Sequence, residues 1–274
     1  MEIQFTDDFD AIKIAQSGQC FRWYPLADNR CRIFAGAHTV VLSQPAPNCL
    51  ELTCTQAEFD DLWHTYFDFD CNYTELRSKI LPADSYLTQA AEYGRGIRIL
   101  RQDPWEMLIT FLLSQRKSIP AIRKSVEALC TAAGTPIGEE QGQILYAFPT
   151  PSQLAALEPD TLASCGLGYR LPYIQRAAQF VCQNPAQFAS FSQQSDAELL
   201  QSLLAFHGVG AKIAHCVMLF GFHRLDAFPK DVWINRVLDT HYPNGYPFAQ
   251  YAPFNGVMQQ YLFFFGRAEH HAFL

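Results

Sequence analysis

The chain has 274 residues, of which 49% are hydrophobic and 17% charged, and its 27 Asp and Glu outnumber 20 Lys and Arg for a formal net charge of −7. Such a composition belongs to an ordinary globular protein large enough for one domain or for two that share a core. No apolar run approaches a membrane span, the N-terminus lacks a signal-peptide pattern, and the acidic balance does not by itself suggest a nucleic-acid partner. A cytoplasmic monomer without membrane association is expected, nucleoid-associated if the source is bacterial. Nine cysteines, an odd count with no C-x-x-C pair, argue against a disulfide framework, a structural zinc or an iron–sulfur cluster, so neither metal nor cofactor is expected.

Taken in chain order, the first elements read as strands. Met1-Glu2-Ile3-Gln4-Phe5 is strand-like. Phe21-Arg22-Trp23-Tyr24, Cys31-Arg32-Ile33-Phe34, His38-Thr39-Val40-Val41-Leu42 and Cys49-Leu50-Glu51-Leu52-Thr53 are β-prone runs separated by turn formers such as Asp28-Asn29 and Gly36. They predict an antiparallel sheet, followed by a helix over about residues 55–67. From Asp103 onward the signals are helical. Asp103-Pro104-Trp105-Glu106 supplies an N-cap, a proline at the first helical position and a capping-box glutamate, after which Met107, Leu108, Phe111 and Leu112 recur at helical spacing. Ser118 opens a helix with Ile119, Ile122, Val126 and Leu129 on one face and Gly134 beyond its end, and Ser195-Asp196-Ala197-Glu198 is a second capping box. The predicted fold class is α+β, with a β-rich unit over residues 1–92 packed on an all-helical unit over residues 93–274.

Charge is unevenly spread. Residues 51–70 carry Glu51, Glu58, Asp60, Asp61, Asp68 and Asp70 without a Lys or Arg, whereas residues 95–124 carry Arg95, Arg98, Arg101, Arg116, Lys117, Arg123 and Lys124 against Asp103 and Glu106. A basic face on an acidic protein permits DNA binding. The most informative stretch is Phe206-His207-Gly208-Val209-Gly210-Ala211-Lys212, a Gly-x-Gly turn joining two helices. Two glycines allow positive φ and close backbone approach, so that amides at a helix N-terminus can face a phosphate; a plain helical corner explains the pattern as well. Lys212 falls in the first turn of the second helix, where the dipole disfavours a cation and favours the neutral amine that nucleophilic attack requires, although most lysines are simply solvated. Asp231 follows a proline and precedes an apolar run, which reads either as a helix cap or as a carboxylate stabilising positive charge at a reacting sugar.

The combination resembles the helix-hairpin-helix DNA glycosylases, in particular their 8-oxoguanine DNA glycosylase branch. The resemblance is carried by Ser17-Gly18-Gln19-Cys20-Phe21-Arg22-Trp23, Leu100-Arg101-Gln102-Asp103-Pro104, Gly166-Leu167-Gly168-Tyr169-Arg170 and the hairpin with Lys212 and Asp231, in the family's order. It implies a TATA-binding-protein-like (TBP-like) N-terminal sheet domain and a helical catalytic domain, with double-stranded DNA bent in their cleft and a damaged purine flipped out of the stack. It further implies a bifunctional glycosylase and abasic-site lyase of base-excision repair, in which Lys212 attacks C1′ and forms a Schiff base while Asp231 supports the sugar's charge. Gly18 resembles the glycine whose carbonyl accepts the N7–H of 8-oxoguanine. Cys216 and Phe263 match positions that sandwich the base, and Gln259 the one that reads its Watson–Crick edge. Tyr169 and Arg170 match the wedge and the arginine that addresses the orphaned base, and Gly208, Val209 and Gly210 the phosphate-binding hairpin.

Three positions depart from the pattern. Arg116, beside Lys117, stands where the family has an asparagine contacting the orphaned cytosine, and Ala121 stands at a second cytosine contact. Trp233 replaces a phosphate-contacting histidine and can donate only through its indole N–H. Arginine can still donate to a base edge or phosphate, so these departures point to a divergent member whose lesion range or opposite-base rule differs. A monofunctional alkylpurine glycosylase of the same fold, which lacks the lysine, and a non-catalytic hairpin module are the other readings.

Overall fold

The structure is a computed structural model that describes residues 1–271. The strands β1 (Glu2–Gln4), β2 (Trp23–Pro25), β3 (Arg30–Ala35), β4 (His38–Ala46) and β5 (Cys49–Leu52) form one antiparallel sheet in the order β1-β5-β4-β3-β2. Ala35 pairs with His38, so Gly36 and Ala37 make the two-residue turn between β3 and β4, with Gly36 at φ +57°. Alternation puts Trp23, Ile33, Val40, Leu42, Leu50 and Leu52 on one buried face. Against that face lies the helical stretch anticipated after the sheet. Thr55 and Glu58 close a capping box, and the segments Gln56–Glu58, Phe59–Trp63 and His64–Tyr66 follow without a break, the middle one π-helical. The wider π-turn lets both of its end residues, Phe59 and Trp63, turn inward.

The helical part is built around the Pro104–Ser114 helix, in which every residue from Trp105 to Leu113 is buried. A helix enclosed on all sides needs apolar neighbours all round, and the Ala211–Phe220 helix is one of them. Asp103 caps it as predicted, Oδ1 accepting from the Glu106 amide at 2.8 Å. Glu106 does not close the box; its carboxylate turns inward to within 3.9 Å of Arg22. Burial pushes the Glu106 carboxyl up to about 7 despite the Arg22 charge. The second capping box, Ser195 with Glu198, forms in full. Unlike the all-helical expectation, this part also carries a small β-hairpin, Pro136–Glu140 paired with Gln143–Tyr146.

The buried side chains fall into two clusters, one under the sheet and a larger one among the helices. The Ser85–Tyr93 helix packs on the C-terminal helix Asn255–His271, so its Leu87, Ala90 and Ala91 belong to the second cluster. Between the two units, the basic stretch has a role other than the one expected. Arg98 is fully buried and donates to the Asp7 carboxylate (2.9 Å) and to the carbonyls of Asp8 (2.7 Å), Asp68 (2.7 Å) and Cys71 (2.5 Å). Arg95 pairs with Asp8, Arg101 with the buried Asp68, and Arg123 donates to the Ala15 carbonyl. Most of the positive charge clustered in sequence is therefore consumed in joining segments of the protein. Arg95, Arg101, Arg116 and Lys124 are the exposed members of that run, and the first two of them are held by carboxylates.

Candidate active site and nucleic-acid interface

Lys212 and Cys216 lie one turn apart on the Ala211–Phe220 helix, and Asp231 begins the next long helix, Val232–His241. Asp231 is the N-cap: its Oδ1 accepts from the amides of Trp233 (3.0 Å) and Ile234 (2.9 Å). The cap fixes where the carboxylate stands, so capping and chemistry are compatible uses of one residue. Both residues line a single cavity of about 50 Å³, with Cys216, Gly18, Gln259 and Phe263 on its other walls. The Lys212 ammonium is 5.4 Å from the Phe111 ring centroid, which carries the side chain's stem toward the pocket. Burial pushes the Cys216 thiol up, while the charge and hydrogen bond of Lys212 oppose that shift.

Gly18 ends the first helix, two residues beyond Ala11–Gln16, in the left-handed region at φ +77°. A Cβ there would lie 3.4 Å from Phe263 Cε1, so the glycine backbone forms the floor against which that ring packs. Gln259, two amide-bearing residues deep in the apolar run around Tyr261 and Leu262, is only 3% exposed, and its Nε2 donates to the Pro229 carbonyl at 2.9 Å. A volume of this size holds one or two waters at about 30 Å³ each. The cavity as it stands is smaller than a purine, with the Phe263 ring packed on the Gly18 side.

The hairpin joins the Asp196–Leu204 helix to the lysine helix. Of its glycines only Gly208 takes positive φ, +88°, and a Cβ there would stand 2.4 Å from the Tyr173 ring. Gly210 is instead the extended N-cap (φ −95°) of the lysine helix, makes no side-chain cap bond, and has open space where a Cβ would go. The Val209 amide donates to Phe206 O (3.0 Å), and its side chain is buried. The Gly210 end of the turn, with the first amides of the helix, is the part with the geometry for an anion.

Next to the hairpin, Gln115 joins three predicted contacts. Its Nε2 donates to Gly208 O at 3.2 Å, and its own carbonyl accepts from the Tyr169 hydroxyl at 3.4 Å and from Arg170 Nη2. Tyr169 is 51% exposed and its ring stands over the Arg170 guanidinium. Arg170 itself is 5% exposed and folded beneath that ring, so its guanidinium is turned inward here. Lys117 is likewise turned inward, donating to Ser125 Oγ (2.6 Å) and Gly166 O (2.7 Å), and burial with the Arg170 charge lowers its pKa. Arg116 is exposed and left-handed at φ +49°. Trp233 is partly buried on the first turn of the aspartate helix, with Arg236 over its ring at 5.3 Å. Ser17, Phe111, Phe220, Pro229 and Gln260 line the cavity without having been singled out in sequence. Phe111 and Phe220 look like ordinary core. Two adjacent glutamines inside an apolar helical run were the legible signal.

A family model described as the 8-oxoguanine DNA glycosylase N-terminal domain matches residues 2–108, and one described as HhH-GPD superfamily base excision DNA repair protein matches residues 109–245. The structure of MBOgg1 in complex with a low affinity DNA ligand is similar at a TM-score of 0.91 and 34% identity, covering 98% of this chain and 96% of that one. The Clostridium acetobutylicum 8-oxoguanine glycosylase/lyase, in complex with dsDNA containing cytosine opposite to 8-oxoG, gives 0.89 and 28% identity over 98% of each chain. The Saccharomyces cerevisiae N-glycosylase/DNA lyase is 29% identical over 259 residues, 84% of this chain and 67% of its own length.

Proposed function

Because the chain belongs to the HhH-GPD superfamily of base excision DNA repair proteins, we propose that it is a bifunctional DNA glycosylase and abasic-site lyase acting on 8-oxoguanine. The observation that carries this reading is the convergence of Lys212, Asp231 and Gly18, from three separate segments, on one cavity. The damaged nucleotide leaves the stack, and Tyr169 fills the space it vacates. Phosphates lie against the Gly210 end of the hairpin, and Arg116 contacts the opposite strand. The base enters between Cys216 and Phe263, Gly18 offers its carbonyl to the N7–H that guanine lacks, and Gln259 meets the Watson–Crick edge.

Lys212 Nζ then forms a bond to C1′ as the C1′–N9 bond breaks and the base departs with that electron pair and a proton. Asp231 stabilises the positive charge on the sugar in between. Opening of the deoxyribose ring leaves a C1′=N Schiff base, and loss of a C2′ proton expels the 3′ phosphate. Lys212→Gln is the test: borohydride traps the parental protein on an 8-oxoguanine duplex, and the variant forms no trapped complex and does not cleave the strand while retaining most of its affinity for damaged DNA. A variant that nicks at the parental rate overturns the assignment. An alkylpurine glycosylase of the same fold would release base with neither protein trapped.

A further inference from the structure

Gln260 sits beside the proposed edge reader but contributes a second amide to the same cavity. Both glutamines are 3% exposed. The Gln259 nitrogen must face the Pro229 carbonyl, since a carbonyl only accepts, and this places Gln259 Oε1 on the opposite side, where Gln260 Nε2 donates to it at 3.0 Å. The amide is therefore held at both ends. Turning it over would set its oxygen against the Pro229 oxygen and its nitrogen against the Gln260 nitrogen, so its donor and acceptor keep a fixed order. One N–H and one lone pair of Gln259 remain for a base. Gln260 Oε1, in contrast, is sealed from solvent and receives no hydrogen bond. Among the described cavity-lining side chains it is the one polar atom left in that state. A buried amide oxygen without a donor is costly, and in a binding pocket it marks where a ligand supplies one.

We propose that Gln260 is a specificity-determining residue for the flipped base, fixing the donor–acceptor order of Gln259 and accepting a hydrogen bond from an amino group on the Watson–Crick edge. The class selected is the 2-amino-6-oxopurine, whose edge offers two donors beside a carbonyl. A purine lacking the 2-amino group leaves Gln260 Oε1 unpaired, and a 6-aminopurine presents the reverse order to a Gln259 amide that cannot turn. The inference rests on Gln259 reading the base edge, as proposed above.

The experiment compares single-turnover excision of 8-oxoguanine with that of 8-oxohypoxanthine, the same lesion without its 2-amino group, in the parental protein, Gln260→Met and Gln260→Ala. Methionine keeps the volume and removes both amide functions; alanine guards against an effect peculiar to sulfur. The ratio of the two rates comes from the folded fraction of each preparation, so partial unfolding does not alter it. The parental preference for the amino-bearing lesion should fall about tenfold in both variants, one neutral hydrogen bond's worth of discrimination. A ratio that stays within about a factor of two, with both lesions slowed together or neither, makes Gln260 a packing residue and overturns the inference. Failure of the parental protein to be trapped on 8-oxoguanine overturns the proposed function itself; trapping with an unchanged ratio overturns this inference alone.

Discussion

Asp231 holds two positions at once, helix cap and cavity wall, and a pair of substitutions separates them. Asparagine has the same acceptor at the same place, so Asp231→Asn keeps both bonds, to the Trp233 amide at 3.0 Å and the Ile234 amide at 2.9 Å, and loses only the charge. Its stability should drop by the charge–dipole contribution alone, about 0.3–1 kcal/mol. In a protein of this size each kcal/mol is worth roughly 2–4 °C of Tm. Asp231→Ala removes the acceptor as well and should cost about 0.5–2 kcal/mol. Catalysis follows a different order. Both variants lack the anion facing the sugar, so single-turnover excision from an 8-oxoguanine duplex at saturating enzyme should fall by about 10²–10³ in each. Stability then ranks parent, Asn, Ala, whereas the rate separates the parent from both variants by a single step. Calorimetry on the same preparations supplies the first ranking and quenched-flow excision the second. If Asp231→Asn excises at the parental rate while only Asp231→Ala is impaired, the cap is the residue's whole function.

Gly208→Ala should lose roughly 1–3 kcal/mol, because it places a methyl 2.4 Å from the Tyr173 ring at φ +88°, whereas Gly210→Ala, with open space around it, should cost under about 1 kcal/mol and mainly weaken DNA binding. Thermal unfolding and fluorescence anisotropy on a labelled duplex check both, and a parental Tm for Gly208→Ala refutes the packing argument. Arg116→Asn should raise Tm by about 2 °C, since asparagine tolerates the left-handed region that arginine occupies here at φ +49°, and should flatten the log–log salt dependence of DNA affinity by about one if Arg116 meets a phosphate. An unchanged slope removes Arg116 from the interface. Acid should unfold the protein partly through Asp7. Burial would raise that carboxyl, but the Thr74 side chain and the amides of Tyr73, Asp8 and Thr74 hold it down at about 2, against 3.8 for the free group. Its stabilisation is complete above 3.8 and is lost as pH falls to 2, and because the group is partly solvated it amounts to about 1 kcal/mol. Asp7→Asn should be less stable than the parent at pH 7, and their Tm values should converge toward pH 2; a gap that persists there refutes the linkage.

What could be read from sequence depended on whether an element's signal was local. The sheet strands, the Asp103 and Ser195 caps and the two helices around the hairpin follow from alternation, capping residues and punctuation within a few positions, and they form as those patterns require. The roles of charges are not local. Arg98, Arg101, Lys117, Arg123 and Arg170 look alike in sequence to Arg116, yet the first five are drawn to carbonyls and carboxylates contributed by other segments, Arg170 to that of Gln115. Only the assembled chain says which guanidinium has a partner. The same holds for Glu106, whose capping role loses to a buried arginine from the sheet unit.

The candidate site shows the same division one level further in. Lys212 and Asp231 each stand at a helix start, a place with its own sequence grammar, whereas Gly18 is marked only by the family resemblance of the Ser17–Trp23 stretch. Gln260 carries no such grammar: it follows from the fact that Pro229 fixes the Gln259 amide, that the Gln260 nitrogen is spent on the Gln259 oxygen, and that the Gln260 oxygen is left buried without a donor. A residue of that kind becomes visible only when hydrogen bonds are counted in three dimensions. If discrimination between lesions resides in such unfilled valences rather than in the residues that perform the chemistry, substitutions at Gln260 should alter which base is removed, and substitutions at Lys212 or Asp231 only how fast.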